Sequence, residues 1–176
     1  MRRIWAVRVL AVIAVLGLTI VSTSADQGSN VSLRAKLSGF KEAPPKLSNG
    51  TGRFTGTING GTLSYTLTFS GMASDVTQAH IHFGQTGVSA AVILWLCDSA
   101  ANPSPISTTP HCPAKGGTVK GSLTAADVIG VPTQNVSKGD FTGAIRIIRS
   151  GDAYVNVHTM TFGLGEIRGQ VRSEQD

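Results

Sequence analysis

The stretch Thr62-Leu63-Ser64-Tyr65-Thr66-Leu67-Thr68-Phe69-Ser70 alternates without a break between hydroxyl and apolar side chains. Successive side chains of a strand point to opposite faces, so this period of two predicts a strand with one buried and one polar face. Just before it, Phe54, Gly56 and Ile58 mark another strand, and Asn59-Gly60-Gly61 supplies the residues of a hairpin turn between the two. Working outward, Val31, Leu33, Ala35 and Leu37 alternate, as do Ile81 and Phe83 with His80 and His82. Ala91 to Leu96 is a continuous apolar run and reads as a buried strand, and Val119 to Leu123 is a shorter one. Tyr154 to Thr159 and Glu166 to Arg172 are the last two, joined through a turn at Gly163 and Gly165. Two stretches follow a different rule. Thr124 to Asp127 has the spacing of a capping box and starts a short helix that ends by Gly130. Asp140 caps a second, in which Phe141, Ala144, Ile145 and Ile148 recur at helical spacing before Gly151. About eight short strands with one or two inserted helices predict an all-β fold, an antiparallel Greek-key sandwich or barrel.

The chain has 176 residues and a formal net charge of +5. That charge is unevenly placed. Arg2, Arg3 and Arg8 precede an uncharged run from Val9 to Val21, and Ser22-Thr23-Ser24-Ala25 follows. This is the three-part pattern of a secretory signal peptide, expected over residues 1–25. The apolar run is shorter than the roughly 20 residues that span a bilayer, so contact with a membrane is expected only through this segment if it stays uncleaved. Without those three arginines, 12 of the 15 Lys+Arg remain against 10 Asp+Glu. No basic cluster survives, and nucleic-acid binding loses its support. Residues 26–30 then form a polar leader, 31–172 the domain and 173–176 a polar tail. The expected location is secreted or periplasmic. In such an oxidising compartment Cys97 and Cys112 are expected to pair and staple a proline-rich excursion at its base.

Four histidines occur in the chain. His80 and His82 share one face of a strand, about 7 Å apart between Cα atoms. Tyr154, Asn156 and His158 share the face opposite the valines of their strand. Glu166 and Arg168 are expected outward on the next, with Glu166 near His158 if the last two strands pair. Two readings of these groups stand open. His80, His82 and His158 are metal ligands for copper or zinc, with Glu166 as a ligand or its support. Alternatively, the groups form a hydrogen-bonded polar cluster, with Glu166 pairing Arg168 or a histidine, which serves as a binding face. Catalytic alternatives have less behind them: there is no Gly-x-Ser-x-Gly elbow, and the ten carboxylates are scattered mainly in turns.

Four segments together resemble the CHRD domain, the module repeated in chordin and found as single secreted copies in bacteria. They are Leu37 to Pro45, Ala79 to Gly84, Tyr154 to Thr159, and Gly165 to Val171. The resemblance runs from about Val31 to Arg172 and implies an extracytoplasmic β-sandwich. It implies no settled chemistry for single-copy members. The excursion between Cys97 and Cys112 is a departure from the pattern. His80-Ile81-His82-Phe83-Gly84 is also similar to the H-x-H strand of copper/zinc superoxide dismutases. Those enzymes need four imidazoles on copper, more than the three that cluster here, so full dismutase activity is not implied. The sequence is therefore read as an exported, non-enzymatic binding or structural module. It presents His80, His82, Tyr154, Asn156, His158, Glu166 and Arg168 to an extracellular protein, glycan or surface component. The alternative is a copper- or zinc-binding protein using His80, His82 and His158.

Overall fold

The hairpin forms where its residues predict. Strands β2 (Thr51–Asn59) and β3 (Thr62–Ser70) pair antiparallel along their full length, from Thr51 opposite Ser70 to Asn59 opposite Thr62. Gly60 makes the turn at φ +53°, a left-handed conformation that glycine adopts without steric cost. Phe54, Ile58, Leu63, Tyr65, Leu67 and Phe69 face the core, and the hydroxyl side chains between them face out. Each of the larger apolar side chains contributes about 1.5–3 kcal/mol by leaving water.

The computed structural model describes residues 30–174. The expected signal peptide lies outside the described residues, as do most of the leader and the last two residues of the tail. Around the hairpin run β1 (Val31–Ser38), β4 (Val76–Phe83), β5 (Val92–Cys97), β6 (Gly117–Leu123), β7 (Ala153–Thr159), β8 (Ile167–Gln170) and β9 (Arg172–Ser173). They form one antiparallel sheet in the order β5-β4-β7-β8-β1-β2-β3-β6, with β9 also on β1. The sheet curls into a nearly closed barrel, which brings edge strands β5 and β6 side by side. Tyr65 ties this seam by donating its hydroxyl to the Leu96 carbonyl at 2.5 Å. The all-β expectation holds, in the barrel form.

Details differ at the ends of elements. The expected strand from Glu166 to Arg172 is broken at Val171, which is fully buried between β8 and β9. Strand β9 takes in Ser173, the first residue of the expected tail, and buries it. Ala125–Asp127 makes a single 3-10 turn, capped by the Thr124 N–H donating to the Asp127 carboxylate at 2.7 Å. Among the described residues the one α-helix, α1 (Phe141–Arg149), begins at Asp140, whose carboxylate accepts from the Gly143 N–H at 2.8 Å. Its apolar side, Phe141, Ala144, Ile145 and Ile148, is buried as the spacing predicts. Among the described residues no helix is long and apolar enough to cross a membrane.

Cys97 and Cys112 form the expected disulfide. The same base is held by backbone bonds from Asp98 N–H to Pro110 and from Cys112 N–H back to Asp98, at 3.0 and 2.7 Å. A crosslink that closes a loop of this length removes freedom from the unfolded chain worth about 3 kcal/mol. The double variant Cys97→Ala/Cys112→Ala is therefore expected to unfold with a loss of about that size. Urea titrations of the two proteins, followed by circular dichroism, measure it; equal midpoints would show that the backbone bonds alone hold the excursion.

Candidate functional site

Register decides which polar groups meet. Strand β4 pairs with β7 so that His80 lies opposite Asn156, His82 opposite Tyr154 and Gln78 opposite His158. Strand β7 pairs with β8 so that Asn156 lies opposite Arg168. Residues directly opposite in an antiparallel pair share a face. His80, His82, Tyr154, Asn156, His158 and Arg168 therefore occupy one face, while Ala79, Ile81, Val155 and Val157 fill the barrel on the other.

That shared face does not meet solvent, contrary to its expected role as an exposed surface. His80 is 3% exposed, His82 and His158 7%, and Asn156 and Arg168 2%. The reason is coverage by distant chain. The connection after β4, the turn after β7 and the segment after β1 fold back over the sheet. Each supplies a group that the face needs.

The three imidazoles are oriented one by one. His82 Nδ1 bonds the Ala90 carbonyl at 2.8 Å, and His158 Nδ1 bonds the Gly163 carbonyl at 3.0 Å. A carbonyl only accepts, so both Nδ1 atoms carry the proton and both Nε2 atoms carry a lone pair. His158 Nε2 then accepts from His80 Nδ1 at 3.2 Å. This leaves His80 Nε2 as a bare lone pair as well. Nε2 of His80 and of His82 are both buried without a hydrogen-bond partner. One nitrogen from each ring falls in a cluster whose members lie within 4.8 Å of one another.

The surroundings hold the rings in place. Trp95 meets His80 edge-on with ring centres 4.2 Å apart, and Tyr154 stacks on His82 at 4.5 Å. The Arg168 guanidinium sits over the Tyr154 ring, 3.4 Å from its centre, and donates to the Gln85 and Val88 carbonyls at 2.7 and 2.9 Å. Asn156 donates to the Glu42 carboxyl. Glu42 is a residue that sequence reasoning missed. It lies in the first of the resembling segments, but alternation says nothing about a side chain on a 3-10 turn and its exit.

Glu166 is the second correction. It is fully buried and lies with neither a histidine nor Arg168. Its carboxylate accepts from the Ser48 hydroxyl at 2.5 Å, the Ala73 N–H at 2.9 Å and the Thr159 hydroxyl at 2.7 Å. Glu166 precedes β8, which begins at Ile167, and Gly165 immediately before it adopts φ +118°, a conformation that side chains disfavour. A Cβ at Gly165 would also strike Asn156 and Glu42. Glu166 thus ties three segments at one end of the barrel. His111, outside the cluster, bonds Asp98 at 2.7 Å in the disulfide excursion.

The family model of the CHRD domain matches residues 33–171. The chain belongs to the CHRD family. No curated protein matches the chain, and neither does any solved structure. The histidine-bearing face of this CHRD domain lies wholly inside the matched region.

Burial governs the protonation of the site. It lowers the pKa of His80 to about 2, helped by His158 and His82. Burial lowers His82 to about 4 against the opposing Ala90 bond, and lowers His158 against the Gly163 bond. It raises Glu42 from 4.5 to about 7, opposed by the Ala43 backbone bond, Arg168, Lys46 and Asn156. The signs oppose each other. The unfolded chain protonates its histidines below pH 6.5 while the folded one does not, so they remove stability as pH falls through that value. Glu42 is protonated longer in the folded state, so it removes stability as pH rises from 4.5 to about 7. Glu42→Gln deletes the second effect and keeps an acceptor for Asn156. Its stability is expected to fall more steeply than the wild type's between pH 7 and pH 5. Denaturant midpoints of both proteins at the two pH values test this, and parallel slopes would show that Glu42 ionises normally.

Proposed function

We propose that this CHRD domain is an exported, non-enzymatic module that holds one copper ion between His80, His82 and His158. The observation that carries the reading is the pair of buried, unpartnered Nε2 atoms on His80 and His82 beside a third imidazole. A buried polar atom without a partner costs about 1–3 kcal/mol, and a cluster built only for structure would satisfy it. A metal ion takes those lone pairs directly. The carbonyls of Ala90 and Gly163 play the part that outer groups play at histidine metal sites: they fix the tautomer and aim Nε2 inward.

The donor set favours copper. All three ligands are neutral imidazoles, and imidazole nitrogen suits copper and zinc alike, but copper stands higher in intrinsic affinity. Glu166 offers no charge to the site, since its oxygens are taken at the barrel end. With metal–nitrogen bonds of about 2 Å, two ligand nitrogens lie at most about 4 Å apart. The 4.8 Å span must close by about an ångström on binding, and His158 Nε2 must exchange its bond from His80 Nδ1 at 3.2 Å for the ion. Export rests on the amino-terminal pattern, and the disulfide agrees with it.

Copper titration of the metal-stripped exported protein tests the reading. About one equivalent is expected to bind, with quenching of Trp95, whose ring adjoins His80. His82→Gln/His158→Gln is expected to abolish tight uptake. Uptake below about a tenth of an equivalent by the wild type would sink the proposal. Equal or tighter retention of zinc would replace copper by zinc in the same site.

A further inference from the structure

Beyond the covered histidines, the same sheet face continues across β8 onto β1 and β9, and there it is open. A groove of about 950 Å³ runs between β1, β9, the segment after β1 and the connection after β4. Two features of its walls point to a ligand. Arg34 of β1 lies directly opposite Arg172 of β9 in the strand register, and Lys36 is two residues along on the same face. Like charges placed opposite each other across strands are destabilising. Of the three, among the described residues, only Arg34 makes an ion pair with a carboxylate, Glu174 at 3.8 Å. Among the described residues Lys36 and Arg172 make no ion pair. The other wall is largely apolar, with Lys41 its one cation. It presents Pro44 and Pro45 together with Phe40, which is 68% exposed. Glu42 is the one carboxylate in the lining, and it is buried and engaged by Asn156.

We propose that this groove binds an amphipathic organic anion, a small molecule with an apolar body and one acidic headgroup. The headgroup sits between Lys36 and Arg172 and relieves the repulsion of Arg172 with Arg34. The apolar body lies along Phe40, Pro44 and Pro45. The volume matches sites that enclose small molecules, and a few charged groups at one end of an apolar lining fix orientation. A polyanionic chain fits less well, because Lys41 is the one cation on the facing wall and its ammonium donates to the Lys36 carbonyl at 2.6 Å.

Anilinonaphthalene sulfonate, itself an amphipathic anion, serves as the probe, with metal-free protein so that the outcome is independent of the copper site. Saturable binding of one probe per chain is expected, displaced by decanoate below its micelle concentration and not by decyltrimethylammonium. Lys36→Glu/Arg172→Glu is expected to weaken binding about tenfold or more. Lys120→Glu/Lys138→Glu, with the same charge change elsewhere, is expected to leave it unchanged. Phe40→Ala is expected to weaken it too. Thermal unfolding confirms that each variant is folded. Equal displacement by the cationic amphiphile, or full affinity in Lys36→Glu/Arg172→Glu, would overturn the proposal. So would displacement by polyglutamate as effective as that by decanoate, which would identify a polyanion site instead.

Discussion

Strands β4 and β7 are buried on both faces. In an antiparallel barrel one face of each strand fills the interior, and the other is ordinarily left to water. Here the second face is also withdrawn from water, yet it carries three imidazoles, an amide, a phenol and a guanidinium. Every one of those groups must then find its partner in protein. The connections around the barrel meet that demand. The turn after β7 places the Gly163 carbonyl on His158, the connection after β4 places Ala90 on His82 and Gln85 and Val88 on Arg168, and the segment after β1 brings Glu42 to Asn156. The loops are held where they are because polar side chains on the sheet hold them. On this face only the two imidazole nitrogens receive nothing, while elsewhere among the described residues Ser99 Oγ and Gln134 Oε1 share that state.

Much of this was legible in the chain. Period two located the strands, the Asn59-Gly60-Gly61 turn set the register of the central hairpin, and Asp140 marked the start of α1. Alternation also put His80 and His82 on one face and His158 with Asn156 and Tyr154 on another. That these are the same face depends on β4 pairing with β7, a contact between segments some 70 residues apart that no local pattern encodes. Burial was misread for the same reason. Alternation distinguishes core side from opposite side, and it equates the opposite side with solvent. It has no term for a loop that returns to cover it. Glu166 was misplaced because β8 begins only at Ile167, after the positive φ at Gly165, so strand alternation does not extend to it. Glu42 carried no signal, because it becomes notable only through the burial that tertiary structure imposes.

The groove and the histidine cluster are two regions of one surface, separated by Arg168. Its guanidinium lies against Tyr154, which stacks on His82, and it also lines the groove. The connection after β4 is common to both: Thr86, Gly87 and Ser89 border the groove, while Ala90 fixes the tautomer of His82. If an ion binds the rings as proposed, the closure of about an ångström that it requires acts on chain that also forms a groove wall. Packed protein transmits such a displacement rather than absorbing it, because interiors are dense and have few voids. Coupling between two sites needs a physical element that both contact, and residues 85–90 with Arg168 border both regions here. An ion in the cluster and an anion in the groove would thus each alter the wall that the other depends on, and linkage makes any such effect on affinity reciprocal.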